Sequence, residues 1–147
     1  MSRAILLLGG TLAAGPLLAA DAGPATLEEV MVTAQKRTES VMDVPIAITV
    51  FDPRAIEERS ARNLTDLGRF TAGVEMINTK SLQPTYTIRG VETNDWTIGS
   101  DPAVAVYVDG VYAARGAGAE AALIDLERVE ILKGPQGTLF GRNATGG

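Results

Sequence analysis

A chain of 147 residues, 46% hydrophobic and 21% charged, is long enough for one globular domain and too apolar for a disordered segment. Its net charge of -5 argues against a nucleic-acid partner, which calls for a basic face. It has neither His nor Cys, which removes the commonest general base and metal ligand together with thiolate chemistry and disulfides; an enzyme would have only carboxylates, Ser/Thr, Tyr or Lys to work with, and no catalytic residue, metal site or cofactor is expected.

In chain order, the first expected element is a secretory signal peptide over residues 1–22. Arg3 precedes the uncharged run "AILLLGGTLAAGPLLAA", and Ala20-Asp21-Ala22 supplies a small-residue exit. A transmembrane anchor fits less well, because the run falls short of the ~20 residues a span needs and is broken by Gly9, Gly10, Gly15 and Pro16. The mature chain is expected to begin near Gly23, outside the cytoplasm.

Residues 23–43 form a segment bounded by Pro24 and Pro45, with "LEEVMVTA" (Leu27 to Ala34) at its centre. Val30, Met31, Val32 and Thr33 favour a strand, yet the flanks offer no obvious hairpin partner. Two readings stand at this point. The segment is a docking strand that adds to another protein's sheet edge, or it is the first strand of the domain's own sheet.

The folded part is expected from Val44 onward. In "VPIAITVF", Ile46, Ile48 and Val50 share one face of a half-buried strand. Asp52 and Pro53 stand as N-cap and first residue of a short helix, and Asn63 caps a second, with Asp66 three residues on in the manner of a capping box. "GVEMINTK" and "PTYTIRGV" read as two further strands. "VETNDWTIGSDP" is a long polar loop carrying the single Trp. "AVAVYVDGVYAAR" is a hairpin with a two-residue turn at Asp109-Gly110. "GAEAALIDLE" reads as helical, with Leu123 and Leu126 inward, and "RVEILKG" as a last short strand. Strands and short helices mix without a repeat, giving an α+β class with one small mixed sheet and long loops.

The chain closes on "ILKGPQGTLFGRNATGG", with five glycines from Gly134 to Gly147. A phosphate cradle is excluded, because no Lys-Ser/Thr pair follows the glycines and Arg142-Asn143 stands instead. A loop with one helical turn at "GTLFG" is expected. No segment after residue 25 could span a bilayer as a helix, and the chain holds too few ten-residue strands for a membrane barrel.

Taken together, "LEEVMVTAQKR", "VPIAITVFD", "YTIRGV", "VYVDGVY" and "LERVEILKGPQGTLFGRNATGG" resemble, in order and spacing, the N-terminal part of a TonB-dependent outer-membrane receptor. The resemblance runs from Leu27 to Gly147 and rests on the combination rather than on any one motif. It implies a signal peptide (1–22), a TonB-box segment and tether (23–43) and a plug domain (44–147) of a Gram-negative outer-membrane protein. The plug would fill a 22-stranded β-barrel that is absent from this chain. The family continues past "GRNATGG" with a last plug strand, so the 147-residue piece alone is expected to be marginally stable.

The same resemblance implies that Glu28, Glu29, Val30, Met31, Val32, Thr33 and Ala34 form the TonB box, paired by the periplasmic TonB protein through strand addition. Met31 departs from a more usual valine without changing the apolar character. It also implies that apical loops face the substrate, here Asn94, Asp95, Trp96 and Tyr112, with a packing contact to barrel loops as the alternative for Trp96. Arg89, Lys133 and Arg142 would contact acidic groups of the chain's own C-terminal β-barrel, simple exposure at strand ends being the alternative for the first two. The implied function is gated active import of a scarce nutrient, first of all an iron-siderophore complex, with cobalamin, a glycan fragment or a plant-derived compound also open. A self-sufficient secreted or periplasmic binding module is the competing class. A transcription-regulating receptor fits poorly, because only Gly23 to Thr26 stand where its extra domain would lie.

Overall fold

The computed structural model describes residues 29–78, 84–93, 100–114 and 123–147. The expected signal peptide, Glu28 of the box and the loop residues Asn94, Asp95 and Trp96 lie outside them. The described elements run β1 (Met31–Val32), β2 (Glu39–Ser40), β3 (Ala47–Phe51), α1 (Pro53–Glu58), α2 (Leu64–Gly68), β4 (Val74–Ile77), β5 (Thr85–Ile88), β6 (Tyr107–Val108), β7 (Val111–Tyr112), β8 (Val129–Lys133) and α3 (Gly137–Phe140). This is the expected mixture of short helices and strands. Instead of one sheet, the described strands form four antiparallel ribbons: β1 with β2, β3 with β8, β4 with β5, and β6 with β7.

The longest ribbon divides the interior in two. β3 and β8 pair over five residues, from Ala47 opposite Lys133 to Phe51 opposite Val129. Successive side chains of a strand point to opposite faces, so each strand serves both sides. Phe51, Val129 and Ile131 enter one cluster with Ile56, Leu67, Tyr86, Ile88 and Val104. Ile46, Ile48, Val50 and Leu132 face the other, built on Val32, Ala34 and Val44. The alternation of Ile46, Ile48 and Val50 therefore holds, and the intervening residues explain why the run is apolar on both faces.

The helices start where their caps place them. The Asp52 carboxylate accepts from Ala55 N at 2.6 Å, and Asn63 Oδ1 accepts from Asp66 N at 2.9 Å. Asp66 reaches back to the N–H of Arg62 rather than that of Asn63, one residue outside a regular capping box. With only six residues, α1 has little helical stability of its own and depends on its cap and on buried Ile56. Asp52→Ala is expected to cost about 1 kcal/mol, read as an earlier midpoint in a urea melt.

Two turns follow their glycines. Asp109 and Gly110 both take positive φ, 49° and 78°, which suits the tight β6–β7 hairpin. Arg89 and Gly90 do the same at 53° and 79° between bridged Ile88 and Val91, so "IRGV" is a turn and not the frayed end of a strand. The helix expected over "GAEAALIDLE" does not appear in its described part: from Leu123 to Glu127 the backbone is irregular. Leu123 instead docks by its N–H on the Arg62 carbonyl at 3.1 Å and packs beside the first cluster. Tertiary packing has overridden a weak local helical preference.

The last two of the closing glycines pass through the domain's own interior. Gly146 N donates to the Ala103 carbonyl at 2.8 Å, and Ala105 N donates to the Gly147 carbonyl at 3.0 Å. A Cβ on Gly146 would lie 3.2 Å from Val91 side-chain atoms, and one on Gly147 would lie 2.2 Å from the Leu132 carbonyl oxygen. At Gly147 the backbone passes too close for any side chain, and at Gly146 the valine side chains would have to give way by a few tenths of an ångström. The single helical turn expected at "GTLFG" is present as α3.

Candidate functional site

The segment expected to be a lone strand finds a partner within its own flank. Met31 stands opposite Ser40 and Val32 opposite Glu39, and Val41 N donates to the Val30 carbonyl at 2.9 Å. The loop between them closes with Lys36 N on the Thr33 carbonyl at 2.9 Å, Lys36 itself adopting φ 58°. This hairpin lies on the β3–β8 ribbon. Val32 and Ala34 are fully buried against Val44 and the outward face of β3, while Val30 is 44% exposed and Met31 is 39% exposed. The domain's packed structure thus begins before Val44. The absence of a nearby hairpin partner was a misreading: "RTES" has too little strand propensity to be found without the surface that supports it.

Two contacts from distant parts of the chain hold the hairpin. Thr33 donates to Glu130 Oε1 twice, from its backbone N at 2.8 Å and from Oγ1 at 3.1 Å. Arg128 Nε donates to the same oxygen at 2.7 Å and its guanidinium also pairs with Glu127. The hydrogen bond to Glu130, followed by the neighbouring carboxylates, raises the Arg128 pKa above its ordinary value against the cost of burial, so this cation stays charged. At the loop, Lys36 Nζ stands 5.3 Å from the Phe140 ring centroid, a cation–π contact to α3. Glu130, Arg128 and Lys36 were not singled out from the sequence. A signal for Glu130 does exist: in "VEILK" it shares the Leu132 face, an acid on a face that the strand buries.

Tyr112, expected in a substrate-facing loop, is half-buried. Its ring lies 5.5 Å from that of Tyr107, which in turn meets Phe140 edge-on at 5.2 Å. Its hydroxyl accepts from Asn143 Nδ2 at 2.8 Å, and Tyr107 donates to the Phe140 carbonyl at 2.6 Å. The structure thus joins Tyr112 to the α3 cluster that also meets Lys36.

The three expected barrel-facing cations differ among themselves. Arg142 is paired within the domain, to Asp101 at 2.7 Å, and both are well exposed. Arg89 and Lys133 have no acidic partner within ion-pair distance among the described residues. An Arg89 side-chain nitrogen lies 3.4 Å from where a Cβ on Gly134 would stand, so Arg89 reaches the backbone just past the end of β8.

Residues 40–147 match the model of the TonB-dependent Receptor Plug Domain family. Over 140 residues the chain is 34% identical to the pesticin receptor of Yersinia pestis, covering 90% of this chain and 20% of that protein. It is 30% identical over 128 residues to the vitamin B12 transporter BtuB of Vibrio vulnificus, covering 83% of this chain and 20% of that protein. Among solved structures, the ferric yersiniabactin uptake receptor FyuA of Yersinia pestis superposes with a TM-score of 0.62 at 34% identity, over 69% of this chain and 16% of that one. The chain therefore spans about a fifth of the length of the curated relatives it matches. These relatives are receptors and transporters, not enzymes.

Proposed function

The chain belongs to the TonB-dependent receptor plug domains, and from that premise we propose that it is the gate of a Gram-negative outer-membrane receptor for active import of an iron-siderophore complex. The box is Glu28 to Ala34, facing the periplasm, and the TonB protein takes it by strand addition. The plug fills a C-terminal barrel, whose acidic interior groups answer Arg89 and Lys133. Substrate meets the outer face through the loop that carries Asn94, Asp95 and Trp96. Tyr112, which stands in the aromatic cluster with Tyr107, belongs to the same substrate-facing set.

One observation carries the reading: the attachment of β1 is small. It consists of two ladder pairs, the two Thr33 bonds to one Glu130 oxygen, the Lys36 contact with the Phe140 ring and two buried apolar side chains, Val32 and Ala34, next to exposed Val30 and Met31. Burying two side chains of this size contributes about 2–4 kcal/mol, the range in which a bound ligand can shift a two-state equilibrium. A segment held this lightly can leave its seat without unfolding the β3–β8 ribbon. The siderophore class rests on the likeness to FyuA, which is named for ferric yersiniabactin; BtuB, named for vitamin B12, makes cobalamin the comparison substrate.

The full-length gene product should accumulate radiolabelled ferric siderophore in iron-limited cells with TonB and fail to do so in cells lacking it. Cobalamin serves as the parallel probe. Equal accumulation with and without TonB overturns the reading.

A further inference from the structure

The hairpin has two edges, and only one is used by β2. Because Val41 N donates to the Val30 carbonyl, residues 30 and 32 point their backbone groups toward β2. Alternate residues of an antiparallel strand point the other way, so the backbones of Met31 and Thr33 face the opposite edge. An unpaired edge N–H is where an incoming strand adds. On this edge the Thr33 N–H is already taken, by Glu130 Oε1 at 2.8 Å.

We propose that Glu130 is a latch on the box: its carboxylate caps the edge N–H of Thr33 that an added TonB strand would use, so the two compete for it. The inference rests on the reading of Glu28 to Ala34 as the TonB box.

The setting of Glu130 suits a reversible cap. It stands on β8 opposite Val50, on the ribbon that also seats Val32, so it is fixed relative to the hairpin. Its side chain is only 12% exposed and that of Arg128 20%, which strengthens a charge-assisted bond compared with one in open water. Oε1 accepts from Thr33 N, Thr33 Oγ1 and Arg128 Nε together. When Thr33 leaves, Arg128 still holds the carboxylate, so release does not strand a buried charge, the usual reason such contacts are hard to break. Thr33 contributes twice, through backbone and hydroxyl, so capping requires this residue's register and not merely an apolar neighbour.

The test uses the full-length receptor without substrate. A thiol introduced by Ala34→Cys, at a position 1% exposed in the seated hairpin, reports release through its rate of maleimide labelling. Glu130→Ala is expected to raise that rate about tenfold, and to tighten binding of the purified periplasmic domain of TonB by a similar factor. Glu130→Gln keeps the shape and an acceptor oxygen without the charge and is expected to fall between. If Glu130 only supports the β3–β8 ribbon, Glu130→Ala melts earlier while labelling and TonB affinity stay within twofold of the parent, and the latch is overturned. Failure of the box reading looks different: the TonB domain then binds Val32→Pro as well as it binds the parent. The labelling rate tests the latch even where TonB does not bind at all.

Discussion

Val32→Pro is expected to abolish TonB-driven uptake in the full-length receptor while leaving substrate binding at the cell surface intact. Val32 sits in the β1–β2 ladder opposite Glu39, and its side chain is fully buried. Proline removes the ladder N–H, fixes φ near -65° and cannot serve inside a paired strand. The substitution therefore damages both states of the segment, seated on the domain and added to TonB's sheet. Two companions separate backbone from side chain. Val32→Ala loosens the seat but keeps every N–H and C=O, so uptake should persist. Val30→Ala, at a side chain 44% exposed, should cost no more than about 0.5 kcal/mol and leave uptake unchanged. The measurement is a pair of assays on the same cells, surface binding at low temperature and accumulation when energised. If Val32→Pro accumulates substrate at the parental rate, Glu28 to Ala34 is not the energising strand.

Leu67→Ala should be the most destabilising single truncation in the described core, by about 3 kcal/mol. Leu67 is completely buried in the cluster of Phe51, Ile56, Tyr86, Ile88, Val104 and Ile131. It lies in a helix of five residues, which has no stability apart from that packing. Removing its branched end forfeits the transfer energy of three carbons and leaves a cavity that ribbons on several sides cannot close. A domain of this size has a total stability of roughly 5–15 kcal/mol, so the loss should appear as a melting temperature lower by about 15 °C. Box function and core stability are separable here, because Leu67 and Val32 lie on opposite faces of the β3–β8 ribbon. Val32→Pro should lower the melting temperature far less than Leu67→Ala does. The reverse order would mean that the hairpin is part of the folding core and not a detachable segment.

How far the sequence carried these conclusions depends on the distance over which each signal acts. Asp52 and Asn63 cap their helices because the bonds they make close within three residues. Asp109-Gly110 turns the chain because two adjacent residues take positive φ. Ile46, Ile48 and Val50 share a face because a strand alternates. The combination of motifs from "YTIRGV" to "GRNATGG" was enough for the family, because each motif is a local backbone requirement and their order is a property of the chain. Leu123 and Leu126 have helical spacing, yet in the described residues the backbone from Leu123 to Glu127 is irregular and Leu123 bonds to the Arg62 carbonyl, 61 residues away.

What only the folded molecule decided are the pairings between distant segments. Thr33 and Glu130 are 97 residues apart, and nothing near either residue announces the other. Ala47 meets Lys133 because β3 and β8 each offer two apolar faces, and pairing them lets both clusters form at once. The hairpin of β1 and β2 lies against the domain instead of trailing free, because Val32 and Ala34 find an uncovered apolar face on that ribbon. The Leu132 carbonyl leaves no room for a Cβ at Gly147, and Val91 and Val104 crowd Gly146, a crowding that exists only after the strands have assembled. Local backbone preference is written residue by residue and can be read that way. Which surface remains free to receive a segment is settled only when all the others have been buried.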